Sequence, residues 1–157
     1  KRQLIFADAP RMTMNSIRTT CQRTRMAYGD LALVAVDYLQ LVEGRGEEYE
    51  RLSHISRRAK LLARELKVPL VMGAQLNRKL EERKDKRPNL GDLRGSGAIE
   101  QDADLVAFTF RPCLYFNNAS ATEAEIIIGK QRNGPVGPIP LTFQPTTTRF
   151  VTNFARV

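Results

Sequence analysis

Two cationic side chains, Lys130 and Arg132, flank a predicted tight turn. They lie in the run Lys130-Gln-Arg-Asn-Gly134, between the strand-like segments 124–128 and 137–143. Asn-Gly between two such segments favours a β-hairpin, because both turn positions adopt positive φ. A hairpin tip presents such cations to a negative group, and a nucleotide phosphate becomes the leading candidate once the acids upstream are considered.

Asp37 and Gln75 each follow a strand-like run. Asp37 comes directly after the apolar run Leu31-Ala-Leu-Val-Ala-Val36, and Gln75 ends Val71-Met-Gly-Ala-Gln75. Ligands bind at the carboxyl ends of parallel strands, where an Asp commonly holds Mg²⁺ through water and a Gln can contact a γ-phosphate. The alternatives are an Asp that caps the next turn and an amide that satisfies loop backbone.

A basic stretch follows Gln75. Residues 78–87 contain six cations and three anions, and Asp92-Leu-Arg-Gly-Ser-Gly97 comes soon after. Arg94 supplies charge, while Gly95 and Gly97 expose backbone N–H groups, so the segment can bind nucleic-acid phosphates without reading bases. Neither segment contains an aromatic side chain for base stacking. The alternative is a solvated loop.

The sequence lacks a phosphate-binding loop of its own. The pattern G-x-x-x-x-G-K-[ST] is absent, and the only Gly-Lys pair, Gly129-Lys130, is followed by Gln131. His54 has no partner motif, and neither a His-based triad nor a metal-ligand cluster is found. We therefore expect this chain to bind nucleotide poorly by itself.

The bulk composition suits one soluble domain over residues 1–157. The net charge of +8 favours a polyanionic partner, although a solvated basic surface is an equal alternative. Cys21 and Cys113 are far apart, which favours reduced thiols and an intracellular setting. No apolar run approaches the ~18 residues of a membrane span. Because the chain opens on a strand pattern without Met, we expect a piece of a longer protein.

Strands that alternate with helices predict an α/β fold with a mainly parallel sheet. Thr13 is the expected cap of the first helix. Apolar positions at spacings of three and four define the second helix. The predicted strands cover residues 3–7, 31–36, 68–74, 105–110 and 148–152 plus the hairpin, and the predicted helices cover 14–28, 48–67 and a turn at 98–102.

Taken in order, these segments resemble the C-terminal motor domain of DnaB-type replicative DNA helicases. The resemblance runs nearly end to end. It implies a RecA-like P-loop NTPase core flanked by helices, with a C-terminal β-hairpin and the N-terminal part of the motor absent. The matching segments are Val36-Asp-Tyr-Leu-Gln-Leu41, Ala74-Gln-Leu-Asn-Arg78, Asp85-Lys-Arg-Pro88, Asp92-Leu-Arg-Gly-Ser-Gly97, Ile99-Glu-Gln-Asp-Ala-Asp104 and Ile126-Ile-Ile-Gly-Lys-Gln-Arg-Asn-Gly134.

The resemblance implies roles at the nucleotide. Asp37 matches the Walker B acid that organises Mg²⁺, and Gln75 matches the residue that couples the γ-phosphate of ATP to the DNA-facing loops. Arg132 matches the arginine finger, with Lys130 beside it, and both act on ATP held by the neighbouring subunit.

The resemblance also implies a DNA-binding loop. Arg94, Gly95 and Gly97 fall where the family holds the backbone of single-stranded DNA. The family usually has an acidic residue at the position of Gly95, so a side-chain contact there is lost or replaced. The phosphate loop and the catalytic glutamate are expected upstream of Lys1.

The implied protein is a cytoplasmic, ATP-dependent homo-hexamer that translocates on single-stranded DNA and unwinds the duplex. Its implied partners are a primase and a helicase loader, with no membrane contact, and the present piece is expected to be inactive alone. Two alternatives stay open: a RecA-like recombinase or ATPase switch, and a non-enzymatic nucleic-acid-binding module.

Overall fold

A computed structural model describes residues 3–9, 11–93 and 96–152. The chain divides into two compact units. The first comprises Lys1–Gln75 with Gly97–Asp102, and the second comprises Leu76–Ser96 with Ala103–Val157. Within the described ranges, no helix is both long and apolar enough to cross a membrane.

Two helices and four short strands form most of the first unit. They are β1 (Met12–Thr13), α1 (Met14–Tyr28), β2 (Val34–Val36), β3 (Val42–Glu43), α2 (Glu48–Leu66) and β4 (Leu70–Met72). Both strand pairs, β1 with β3 and β2 with β4, are parallel. The expected parallel α/β arrangement is therefore present here.

Local chemistry explains the start and end of α1. The Thr13 hydroxyl accepts a hydrogen bond from the Ser16 N–H (3.1 Å), and the Ser16 hydroxyl accepts one from the Thr13 N–H (2.8 Å). This reciprocal pair satisfies two donors that a helix start leaves open. Gly29, with φ of 90°, ends the helix. The predicted cap and both bounds of α1 are confirmed.

The apolar stripe of α2 forms the core of the first unit. Its members are buried against side chains of α1 such as Ile17 and Cys21. Burial raises the pKa of the Cys21 thiol, so the neutral thiol is favoured at this position. The stripe consists of Leu52, Ile55, Ala59, Leu62 and Leu66, as the periodicity predicted.

Two strand predictions for this unit were wrong. Residues 3–7 form no strand, and the first strand is β1 instead. The segment 31–36 narrows to β2, where Val34 and Val36 pack on the core and Ala35 is exposed within this chain. A continuous apolar run does not reveal how many faces are covered, because that depends on which other elements pack against the strand.

The second unit is built around an antiparallel sheet. Its strands are β5 (Leu105–Phe110), β6 (Glu123–Gln131), β7 (Gly137–Gln144) and β8 (Arg149–Thr152), in the order β5-β6-β7-β8. The bounds of β5 are those predicted from sequence. Helix α3 (Ser96–Asp102) precedes β5 in the chain, but its residues Gly97–Asp102 belong to the first unit. It extends the helical turn expected at 98–102. The α/β fold with C-terminal antiparallel strands is confirmed.

The hairpin between β6 and β7 has a different turn from the one predicted. Residues 132–136 separate the two strands, and the last paired residues are Ile128 and Gly137. Gly137 has φ of 135°, whereas neither Asn133 nor Gly134 is among the described residues with positive φ. Pro135 accounts for the change at Gly134, because the residue directly before proline is driven towards extended backbone.

Candidate functional site

Asp37 lies at the carboxyl end of β2, beside β4. The strands pair Val36 with Met72, and the Gly73 N–H donates to the Val36 carbonyl (3.0 Å). A Cβ added at Gly73 would lie 3.3 Å from Asp37 Oδ1, so the carboxylate lies next to this backbone. Asp37 is exposed and forms no ion pair with any other described residue. One exposed carboxylate suits Mg²⁺, a hard cation that keeps most of its water ligands.

Gln75 follows β4 in the same unit, and the side chain of Gln40 holds its backbone. The Gln75 N–H donates to Gln40 Oε1 (3.1 Å), and Gln40 Nε2 donates to the Gln75 carbonyl (3.3 Å). Arg51 of α2 in turn donates to the Gln40 and Val42 carbonyls, at 3.2 and 3.3 Å. The backbone at Gln75 is thereby fixed, while the residue itself is exposed.

Lys130 and Arg132 lie at the end of β6, in the second unit. The pairing of β5 with β6 shifts register between Val106 and Ala107, which face Lys130 and Ile128. Gly129 is therefore the extra residue of a β-bulge. A Cβ at Gly129 would lie 2.6 Å from Phe108 Cε2, which explains why glycine occupies the bulge. A bulge bends its strand and changes the direction of the side chains after it, which include both cations.

Arg132 is tied to Asp104, the residue before β5. The Arg132 N–H donates to the Asp104 carbonyl (3.0 Å), and Arg132 Nε lies 3.0 Å from Asp104 Oδ1. Their side chains are 50% and 63% exposed, so solvent screens the pair. An exposed guanidinium at a strand end can approach a phosphate of another molecule.

The predicted DNA-binding loop is only partly within the described residues. Arg94 and Gly95 lie outside them. Gly97 is exposed in the first turn of α3 and not in an open loop as predicted. A Cβ at Gly97 would lie 3.7 Å from Tyr49 Oη, an ordinary contact, so packing does not require glycine there.

A buried carboxylate organises the chain just before that loop. Asp92 is 7% exposed, and its Oδ2 accepts hydrogen bonds from the Asn89 N–H and from Arg83 Nη2, both at 2.8 Å. Its carbonyl accepts from the Asn77 N–H (2.7 Å). Asp92 therefore joins the two ends of the segment 77–92.

Arg87 anchors the same segment to β6. Its Nη2 and Nε lie 2.7 and 3.2 Å from the two carboxylate oxygens of Glu125, and its guanidinium lies 5.3 Å from the Phe110 ring centroid. The contact with Glu125 raises the pKa of Arg87. Arg83 and Arg87 are thus structural, and the reading of 78–87 as a uniformly solvated loop does not hold for them.

The structure separates the predicted nucleotide residues into two pairs. Asp37 and Gln75 belong to the first unit, whereas Lys130 and Arg132 belong to the second. Sequence reasoning missed Gln40 and Asp104 as residues that hold members of these pairs. The sequence gives a weak indication of the role of Gln40, which is a single amide side chain between Leu39 and Leu41. It gives none for Asp104, because its contact depends on the bulge in β6.

The DnaB-like helicase C-terminal domain family matches residues 1–152. Replicative DNA helicase DnaB of Geobacillus stearothermophilus is 47% identical over 150 residues, which are 92% of this chain and 33% of the relative. Replicative DNA helicase DnaC of Bacillus subtilis is 44% identical over 149 residues, with coverages of 92% and 33%. The chain spans about a third of the length of these relatives.

Two solved structures also resemble this chain. A DnaB-like replicative helicase, described with its interactions with primase, matches with a TM-score of 0.88 at 39% identity over 94% of this chain and 36% of its own. A solved ATPase domain matches with a TM-score of 0.87 at 39% identity, over 93% of this chain and 53% of its own. These likenesses confirm the predicted RecA-like fold class.

Proposed function

Because the chain belongs to the DnaB-like helicase C-terminal domain family, we propose that it forms part of an ATP-dependent replicative DNA helicase. The longer protein translocates on single-stranded DNA in the cytoplasm and unwinds the duplex. The observation that carries this proposal is the family match along residues 1–152. The two relatives described above are replicative helicases, so the recombinase and the non-enzymatic alternatives are not favoured.

The first unit holds the acidic side of the ATP site. Asp37 would bind Mg²⁺ through water, and the ion supplies positive charge against the phosphates. Gln75 contacts the γ-phosphate with its exposed amide, which donates and accepts hydrogen bonds. The side chain of Gln40 fixes the Gln75 backbone through two hydrogen bonds, of 3.1 and 3.3 Å. A change in the contact with the γ-phosphate therefore moves the Gln75 side chain and the segment that follows it.

The second unit supplies the cationic side of a site on a neighbouring subunit. Lys130 and Arg132 act on ATP bound by the next protomer of a homo-hexamer. The location of both cations at a bulged strand end, in a different unit from Asp37 and Gln75, supports that role. An arginine supplied in trans stabilises charge on the transferred phosphoryl group.

Arg94, Gly95 and Gly97 contact the phosphates of single-stranded DNA. Asp92 supports this role, because it organises the chain two residues before Arg94 through contacts of 2.7 and 2.8 Å. A primase and a helicase loader are the proposed protein partners, and the similar helicase described with primase supports the first of them.

The decisive variant is Arg132→Ala in the full-length protein. We expect DNA-stimulated ATP turnover to fall by about 10³-fold or more, because a trans-acting arginine is typically worth ~10³–10⁵ in rate. Hexamer assembly, measured by light scattering, should be unchanged.

Arg149→Ala is the matched control, since Arg149 is an exposed arginine of β8 in the same sheet. We expect it to turn over ATP normally. Near-normal turnover in Arg132→Ala would contradict the proposed shared site.

A further inference from the structure

The bulge in β6 decides which residue lies opposite Arg132. In the bulged register Val106 faces Lys130 and Leu105 faces Gln131, so the next step brings Asp104 opposite Arg132. If the pairing continued from Ala107 and Ile128 without a bulge, Asp104 would face Gln131, and Arg132 would lie one step beyond it. A register slip of one residue also turns side chains to the other face of the strand. The bulge therefore pairs the proposed catalytic arginine with a carboxylate.

Asp104 holds Arg132 at two points. The hydrogen bond from the Arg132 N–H to the Asp104 carbonyl (3.0 Å) continues the ladder one step past β5 and fixes the backbone. The contact of Nε with Oδ1 (3.0 Å) acts on the edge of the guanidinium nearest the backbone. A guanidinium has five N–H donors in a planar fork, and even a two-point contact with one carboxylate uses only one edge of that fork.

We infer that Asp104 is a positioning residue for Arg132: it orients the guanidinium towards the phosphate held by the neighbouring subunit. This inference rests on the proposed trans-acting role of Arg132. Asp104 does not contact the nucleotide, and it acts by reducing the freedom of a long side chain before the phosphate arrives. Such preorganisation lowers the barrier because a misplacement of ~1 Å can cost 10²-fold in rate.

A purely structural ion pair is the competing explanation. The exposures of 50% and 63% count against it, because solvent-exposed pairs contribute little to folding stability. The chain offers a matched control in Arg25 and Asp30, a pair at 2.9 Å with exposures of 50% and 84%. If exposed pairs of this kind are only structural, Asp104→Ala and Asp30→Ala will behave alike.

The first test measures ATP turnover by full-length Asp104→Ala on single-stranded DNA. We expect kcat to fall by about 10- to 100-fold while KM for ATP changes less than about twofold, since orientation matters most in the transition state. Asp104→Glu, which keeps the carboxylate, should recover most of kcat, and Asp30→Ala should match the wild type. Unchanged or increased kcat in Asp104→Ala would overturn the inference.

The second test asks whether Asp104 acts through Arg132. In the Arg132→Ala background, Asp104→Ala should cause no further loss of kcat, because the group that it orients is already gone. A further tenfold loss in the double variant would show that Asp104 works through another group.

The third test mixes two variants of low turnover, Asp37→Asn and Asp104→Ala, in one ring. Where the intact nucleotide site of an Asp104→Ala subunit meets the intact arginine of an Asp37→Asn subunit, turnover should return. No recovery would mean that Asp104 serves the site of its own chain. If Arg132→Ala is inactive and Asp104→Ala is normal, only this inference is refuted. Normal turnover in Arg132→Ala would instead refute the proposed ATP site shared between subunits.

Discussion

At the scale of single residues, the side chain of Gln40 makes the hydrogen bonds that a neighbouring strand would make. Its amide makes one hydrogen bond with the N–H of Gln75 and one with the carbonyl, at 3.1 and 3.3 Å. A neighbouring strand would satisfy the same two groups. Since Gln75 follows the end of β4, this amide extends the order of the sheet to the residue proposed to contact the γ-phosphate.

Gln40→Glu should weaken the coupling between DNA and ATP turnover. The carboxylate keeps the acceptor for the Gln75 N–H but places an oxygen against the Gln75 carbonyl, where an N–H donor is now found. One net hydrogen bond is worth ~0.5–1.5 kcal/mol, so we expect DNA stimulation of turnover to fall about 2- to 12-fold. Basal turnover should change less.

The measurement compares ATP turnover with and without single-stranded DNA. Gln144→Glu is the control, because Gln144 is exposed in β7 and its Oε1 accepts a hydrogen bond from the Thr147 hydroxyl. A carboxylate oxygen can accept the same bond, so this substitution preserves the contact. Equal stimulation in Gln40→Glu and the wild type would refute a positioning role for Gln40.

At the scale of elements, β6 is the strand on which the second unit depends. Glu125 near its start binds Arg87 of the segment that leads to the proposed DNA loop. Its end carries Lys130 and Arg132. One strand therefore joins the two proposed contacts of this unit, one with DNA and one with the neighbouring subunit, and the bulge at Gly129 sets the direction of the second.

Gly129→Ala should damage both folding and turnover. The added Cβ would lie 2.6 Å from Phe108 Cε2, and Phe108 is buried at 4% exposure. Overpacking of this kind typically costs ~1–3 kcal/mol. The thermal unfolding midpoint and kcat of the full-length protein should both fall.

Phe108→Leu provides the compensating change, because a smaller side chain leaves room for the new Cβ. In a double-mutant cycle, the two substitutions together should destabilise less than the sum of the single changes. Additive losses would show that the contact with Phe108 is not what excludes a side chain at Gly129.

At the scale of the whole molecule, the net charge of +8 favours a polyanionic partner, but not all cations contribute equally. Arg83 and Arg87 are engaged with Asp92 and Glu125, in ion pairs of 2.8 and 2.7 Å. Cations in such pairs are already neutralised and release fewer counterions when DNA binds. The proposed DNA contact therefore depends on particular cations such as Arg94.

Arg94→Ala should weaken binding of single-stranded DNA by a similar factor for all sequences. The slope of log K against log salt should become shallower by about 0.7, the value of one phosphate contact on a single strand. Arg23→Ala, an exposed position on α1, removes the same charge elsewhere and should leave the slope unchanged. Fluorescence anisotropy over a salt series measures both slopes, and equal slopes would remove Arg94 from the DNA contact.

Local patterns determined much of this protein from the sequence alone. The Thr13 cap and the apolar stripe of α2 were readable because helix starts and helix faces depend on residues within a few positions. The adjacent ends of β2 and β4, which carry Asp37 and lead to Gln75, followed from strand order in a parallel sheet.

Only the tertiary structure decided the features that depend on distant partners. The hydrogen bonds of Gln40 with Gln75 and the ion pair of Arg87 with Glu125 both join residues far apart in the chain. The bulge at Gly129 exists because β6 must pair with β5 beside the ring of Phe108, and no pattern within β6 contains that ring. The sequence by itself determined that Arg132 would lie near a turn, and long-range packing decided that it would face Asp104.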